Sequence, residues 1–178
     1  MAYSFTDGLA LVSEGGREGF IDTDGNYVIK LTDKVDYASF SDGYALIRKG
    51  NKWGFIDKKG NIVIKPAFYG AADFKEGFAS IMEKVGDKYL SGYINKKGKM
   101  ITKAIYEEVD DFQEGMACVK KNGKYGFINK KGKLVVNTIY NNAFSYENGL
   151  AYVVKGSNAY FIAVSYTHLR AHETKANL

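Results

Sequence analysis

The residues able to do chemistry are few, and their placement limits what chemistry is open to the chain. Acid–base and nucleophilic catalysis draw on histidine, an activated cysteine or paired carboxylates in one pocket. Both histidines, His168 and His172, lie close to the C-terminus, and residues 1–163 contain none. The single cysteine, Cys118, sits in the apolar run Met116-Ala117-Cys118-Val119, which reads as a strand interior, so a small buried core residue is expected there. Alone it can close no intrachain disulfide and builds no multi-cysteine zinc site. Asp22 and Asp57 have Asn95 and Asn129 at the equivalent places. That exchange suits a turn cap, since both residue types hydrogen-bond nearby backbone, better than it suits an ionised catalyst. Glu107, Glu108, Asp110 and Asp111 form the densest carboxylate cluster. A divalent cation needs more oxygen ligands in defined geometry, so a solvated loop is expected. The reading is no catalytic residue, no cofactor, no metal ligand and no enzyme.

Two further residue classes recur at regular spacing. Lysine pairs stand at Lys58-Lys59, Lys96-Lys97 and Lys130-Lys131, each just before a glycine. Aligned, they would form a basic stripe able to attract anionic polymers, but acidic turns dilute it, and turn lysines also keep strands from edge pairing. Solubility and turn chemistry are expected, with no specific nucleic-acid binding. The aromatics Phe20, Phe55, Tyr93, Phe127 and Phe161 are either a sugar platform or a core ladder. A core stacked between units is expected, because a unit of this size cannot bury its own apolar face.

These positions belong to a repeat. Gly19-Phe20-Ile21-Asp22, Gly54-Phe55-Ile56-Asp57, Gly92-Tyr93-Ile94-Asn95 and Gly126-Phe127-Ile128-Asn129 recur, with Tyr160-Phe161-Ile162-Ala163 as a degraded fifth copy, at intervals of 35, 38, 34 and 34 residues. A second marker runs in step, from Phe5-Thr6-Asp7-Gly8 through Phe40-Ser41-Asp42-Gly43, Phe74-Lys75-Glu76-Gly77 and Phe112-Gln113-Glu114-Gly115 to Tyr146-Glu147-Asn148-Gly149. Units therefore span about 5–39, 40–73, 74–111, 112–145 and 146–163. Runs rich in aromatic and β-branched residues, roughly 44–48, 52–57 and 62–65, are separated by glycine turns, which predicts a three-stranded antiparallel meander. With 178 residues, one proline, 20 glycines and 46% hydrophobic residues, the chain can bury a core and favours strands. The expected fold is all-β, an open twisted array of meanders; a closed β-propeller is the alternative, and its blades usually need ~40 or more residues for four strands. No apolar stretch approaches the ~20 residues of a membrane-spanning helix.

Lys52-Trp53-Gly54-Phe55-Ile56-Asp57-Lys58-Lys59-Gly60-Asn61 and Lys124-Tyr125-Gly126-Phe127-Ile128-Asn129-Lys130-Lys131-Gly132-Lys133 resemble the signature of the WG-repeat, or KWG-repeat, family. The resemblance covers almost all of residues 3–162. Units one, three and five depart from it, with Glu18, Ser91 and Ala159 where the aromatic stands. It implies a largely bacterial family of tandem arrays, often attached to other domains, with no activity of its own to transfer.

The run Val164–Thr174 breaks every preceding pattern and resembles the in-frame translation of a transposase sequencing-library adaptor, so residues 164–178 are expected to be a non-native tail. Without it the formal charge of +5 falls to about +4, a mild excess. Both ends are expected to be truncated; no signal-peptide pattern precedes Phe5, and no compartment is assigned. Function is expected to be that of a non-enzymatic binding or scaffold module whose partner is a protein or an extracellular polymer. The alternative is the accessory repeat region of a larger enzyme or effector.

Overall fold

The computed structural model describes residues 2–15, 17–31, 39–164 and 171–175. The reading of a foreign tail falls largely on residues outside that set. Among the described residues every regular element is a strand, every pairing is antiparallel, and five sheets follow one another along the chain. The first holds β1 (Ala10–Glu14), β2 (Arg17–Ile21) and β3 (Tyr27–Leu31). The second runs β4 (Phe40–Ser41), β5 (Tyr44–Lys49), β6 (Lys52–Asp57) and β7 (Ile62–Phe68), and the third β8 (Gly70–Ala71), β9 (Phe78–Val85), β10 (Lys88–Asn95) and β11 (Met100–Tyr106). The fourth comprises β12 (Glu108–Val109), β13 (Met116–Lys121), β14 (Lys124–Asn129) and β15 (Leu134–Tyr140). The fifth comprises β16 (Asn142–Ala143), β17 (Leu150–Lys155), β18 (Asn158–Val164) and β19 (Ala171–Lys175). Four sheets thus add a two-residue strand to the expected meander, from segments too short to show a period. The third strand also runs further than the sequence suggests, through Phe68 rather than ending at Lys65.

The motif glycine explains that extra length. Trp53 pairs with Phe68 and Phe55 with Ile64, so Lys65, Pro66 and Ala67 lie opposite Gly54 alone. The same bulge recurs where Ser91 and Tyr93 pair with Tyr106 and Thr102, and where Tyr125 and Phe127 pair with Tyr140 and Val136. The bulged backbone folds onto the glycine: a Cβ on Gly54 would lie 2.5 Å from the Ile64 carbonyl oxygen and 2.6 Å from the Pro66 nitrogen. Pro66, which has no N–H to give a ladder, is accommodated because the bulge needs none there. In the fifth sheet Tyr160 replaces the glycine, and β18 pairs with β19 in unbroken register.

The core lies between sheets. Phe20 packs with Phe40, Ala45 and Ile56; Phe55 with Phe74, Ala79 and Ile94; Tyr93 with Phe112, Ala117 and Ile128; Phe127 with Tyr146, Ala151 and Ile162. Each layer thus joins the motif aromatic of one unit to the marker aromatic and motif isoleucine of the next. The ring pairs are edge-to-face, with centroids 4.8 Å apart for Phe20–Phe40, 4.7 Å for Phe55–Phe74, 5.1 Å for Tyr93–Phe112 and 5.0 Å for Phe127–Tyr146. The expected ladder is therefore a core, but its rungs alternate motif and marker rings rather than stacking equivalent ones. The array is open: Phe5 and Phe161, on the first and fifth sheets, remain 49% and 43% exposed.

Candidate functional site

The marker turns build a row along one edge of the array. Asp7, Asp42, Glu76, Glu114 and Asn148 each adopt φ of 51–53° and precede a glycine with φ of 78–89°, which gives the two-residue turn that reverses an antiparallel pair. A left-handed glutamate is costly, and its partner lies in the next unit. Asp7 Oδ2 accepts the Gly43 N–H at 2.6 Å, and Asp42 Oδ2 the Gly77 N–H at 2.6 Å. Glu76 accepts the N–H groups of Glu114 and Gly115 at 2.8 Å each, and Glu114 those of Asn148 and Gly149 at 2.7 Å each. A lysine from the next unit closes each of the first three clamps. Lys58 Nζ donates to the Asp7 carbonyl at 2.6 Å, Lys96 to Asp42 Oδ1 at 2.6 Å, and Lys130 lies 3.1 Å from Glu76 Oε2. Burial opposes ionisation of Asp42, but Lys96 and the Gly77 N–H outweigh it and hold the carboxyl below its usual range. At Glu76 burial is likewise outweighed, by the Gly115 N–H and Lys130.

The first lysine of each pair therefore joins units, a role the sequence reading missed. The basic stripe is left to Lys59, Lys97 and Lys131, all of them exposed. The Asp and Asn residues after the motif isoleucine do cap turns: Asp57 Oδ1 accepts the N–H groups of Lys59 and Asn61 at 2.9 Å each, and Asn129 Oδ1 those of Lys131 and Lys133 at 3.0 and 3.1 Å. Asp22 and Asn95 do the same. Cys118 is buried, and burial pushes its thiol up to about 12, with Asp110 and Glu108 adding to the shift, so the nucleophilic thiolate is suppressed.

The acidic cluster is solvent-exposed, as expected, but it is not all loop. Glu108 lies in β12 and accepts from Lys120 Nζ at 2.6 Å and the Tyr125 hydroxyl at 2.7 Å. Glu107 accepts the Gly123 N–H at 3.0 Å, and Asp110 the Ser145 hydroxyl at 3.1 Å. Glu107, Glu108 and Asp110 thus join strands or units. Among the described residues no group of three or more His, Cys, Asp or Glu side chains is placed to hold a metal ion.

The opposite edge, formed by the hairpin tips of the second and third sheets, presents aromatics and cations outward. Tyr69, in the link from β7 to β8, and Tyr89, on β10, are exposed and meet edge-to-face at 5.4 Å, and Lys52 Nζ of β6 sits 3.1 Å above the Tyr69 ring. Trp53, half-buried on β6, carries the Arg48 guanidinium 5.7 Å from its ring. Such a group can stack on planar or apolar ligand faces while its cations meet acidic groups. The sequence reading missed Tyr69 and Tyr89 because both lie outside the repeated motif.

No curated protein matches the chain. Among solved structures it is similar to Hsv2p of Kluyveromyces lactis, a β-rich, propeller-like protein, at 13% identity and a TM-score of 0.56 over 93% of this chain and 62% of that one. A second Kluyveromyces lactis Hsv2 structure, described as having a complete loop 6CD, matches at 11% identity and a TM-score of 0.46 over 99% of this chain and 62% of that one. The chain thus spans less than two thirds of the length of either, and the first likeness speaks for the fold of stacked small sheets alone. The model of the WG containing repeat matches four consecutive stretches, residues 19–53, 53–89, 92–125 and 125–158. The chain belongs to the WG containing repeat family.

Proposed function

We propose that the chain is a non-catalytic binding or scaffold module, and that the hairpin edge around Trp53, Tyr69 and Tyr89 is the surface it offers to a protein or polymer partner. The observation that carries this reading is the division of labour between the two edges. On one, the acids and the first lysines join unit to unit. On the other, Lys52, Tyr69 and Tyr89 face outward, with stacking rings beside a cation. Repeat arrays commonly bind through extended surfaces. A non-catalytic role is further supported by the thiol of Cys118 being buried and by the aspartates of the motif being spent on turns.

Trp53 is the only tryptophan and neighbours Lys52 on β6, which makes it a single reporter on the strand that carries this edge. Titration with a panel of soluble polysaccharides and acidic peptides, followed by its fluorescence, should reveal a ligand class that shifts or quenches the emission. Tyr69→Ala with Tyr89→Ala should weaken that binding about 10-fold, since aromatic contacts contribute on the order of 0.5–1.5 kcal/mol each. Unchanged affinity in the double variant would remove the function from this edge.

A further inference from the structure

The third strands form a flank of the array that neither the clamps nor the hairpin edge uses. Among the described residues, β7, β11 and β15 each end the hydrogen-bonding order of their sheet. The flank is continuous, because the turn of one unit packs on the third strand of the unit before it. A Cβ on Gly98 would lie 3.4 Å from the Ile64 side chain of β7, and one on Gly132 would run into the Ile101 carbonyl of β11. Residues 58–68, 96–106 and 130–140 build this surface and contain no Asp or Glu. With Lys58, Lys96 and Lys130 drawn into the clamps, the flank keeps Lys65 and Lys103 on its strands and Lys97, Lys99, Lys131 and Lys133 in its turns, all exposed. Among the described residues none of these six meets a carboxylate in an ion pair.

Lysines on a sheet edge serve to keep it from pairing with another strand. That role accounts for Lys65 and Lys103, but not for the aliphatic side chains left open among them. Ile62 is 57% exposed and its equivalent Leu134 37%; Ile105 is 38% exposed and its equivalent Ile139 41%. One such residue would need no explanation, whereas the third strands of three consecutive sheets all expose them. We propose that this flank is a docking surface for an acidic protein segment that carries aliphatic residues between its acids and lies across the strands from sheet to sheet. Charge complementarity sets the acids, since the three stretches are basic throughout. The open aliphatic groups select a protein segment over sugar polymers and nucleic acids, whose recognition draws on stacking rings. The aromatics of these stretches, Phe68, Tyr106 and Tyr140, are buried. The direction follows from the edges themselves. The bulge, the missing N–H of Pro66 and the lysine beside it deny a strand added alongside β7 its ladder. A segment crossing the strands meets a new sheet every ~10 Å, which an extended chain at ~3.3 Å per residue covers in about three residues. This flank is separate from the hairpin edge, and the inference does not rest on the binding role proposed there.

Fluorescence anisotropy with a labelled peptide of about 18 residues repeating Glu-Leu-Ser tests this, since that length crosses three sheets with residues to spare. The intact chain should bind it with a Kd of about 100 µM or tighter, and at least ~10-fold tighter than a Glu-Ser-Ser peptide of the same charge, whose serines bury no apolar area. Lys65→Glu with Lys103→Glu, and separately Lys97→Glu with Lys131→Glu, should each weaken binding at least ~10-fold. Ile105→Ser with Ile139→Ser should erase the preference for the leucine peptide. All six positions are exposed, and unchanged far-UV circular dichroism checks the fold. Tyr69→Ala with Tyr89→Ala, on the hairpin edge, should bind the peptide as the intact chain does. Equal affinity for the two peptides, no saturation by ~1 mM, binding that survives both lysine reversals, or a loss in the tyrosine variant instead would each overturn the proposal. Heparin or phosphatidylserine vesicles binding more tightly than the Glu-Leu-Ser peptide would assign the flank to a sugar polymer or a lipid surface, and would overturn it too.

Discussion

The sharpest consequence of the repeat geometry falls on Gly54. An alanine Cβ there would lie 2.5 Å from Ile64 O, 2.6 Å from Pro66 N and 2.8 Å from Lys65 C. All three are backbone atoms of the bulge in β7, so no side chain can swing aside, and relief requires the bulge to lift off β6. Overpacking in a core typically costs about 1–3 kcal/mol and occasionally more, and three backbone contacts below 3.0 Å place Gly54→Ala near about 3 kcal/mol. With a urea slope of about 2 kcal/mol/M, the unfolding midpoint should fall by about 1.5 M. Gly70→Ala supplies the contrast, since its Cβ would meet only the Met82 side chain, at 3.2 Å or more. Hydrogen exchange should place the loss in β6 and β7, because a repeat array transmits damage mainly to neighbouring units. An unchanged midpoint in Gly54→Ala would refute the argument that backbone approach, rather than chance, sets glycine at this position.

Phe55→Ala removes a ring with 0% exposure and should cost about 3–5 kcal/mol in urea unfolding, while Trp53→Ala, at a half-buried site, should cost clearly less. Replacing Lys58, Lys96 and Lys130 together by Ser should destabilise by about 1.5 kcal/mol in all, at roughly 0.5 each for partly exposed pairs, whereas Lys59, Lys97 and Lys131 to Ser should leave the midpoint in place. Asp42 and Glu76 have folded-state values below their unfolded ones, so their contribution is complete above the ordinary carboxylate range and is lost as pH falls through and below it. Urea midpoints measured downward from pH 6 should show that loss, and Asp42→Asn should shrink it. Asp73 behaves oppositely: burial raises it, Lys75 opposes and Asp111 adds, so ionisation lowers stability as pH rises above the ordinary carboxylate range. Asp73→Asn should therefore raise the midpoint at pH 7 and leave it unchanged at pH 3.

The period and the antiparallel pairing were legible because they repeat locally: an aromatic, an isoleucine and an Asp or Asn recur in adjacent positions, and the exchange of Asp57 for Asn129 already discloses a cap that needs an oxygen but no charge. The fates of the two faces of β6 were not. Alternation sets Phe55 and Ile56 on opposite sides, and a lone sheet would leave one of them wet; both are buried because each inner sheet is covered on both faces by its neighbours. The clamp was hidden for a different reason, since its partners are separated by 34 to 39 residues and no local window contains them. Its signal was a broken local rule. A two-residue turn of this hand favours Asn-Gly or Asp-Gly, and Glu76-Gly77 and Glu114-Gly115 violate that preference in neighbouring units. Two equivalent violations are unlike random drift, because each carries a left-handed glutamate whose cost must be offset outside the turn. The longer side chain supplies that offset by reaching two N–H groups of the next turn, where the shorter Asp42 reaches one. At Asn148 the preferred residue returns. A residue that disobeys its own turn is thus a pointer along the array to the neighbour that it holds.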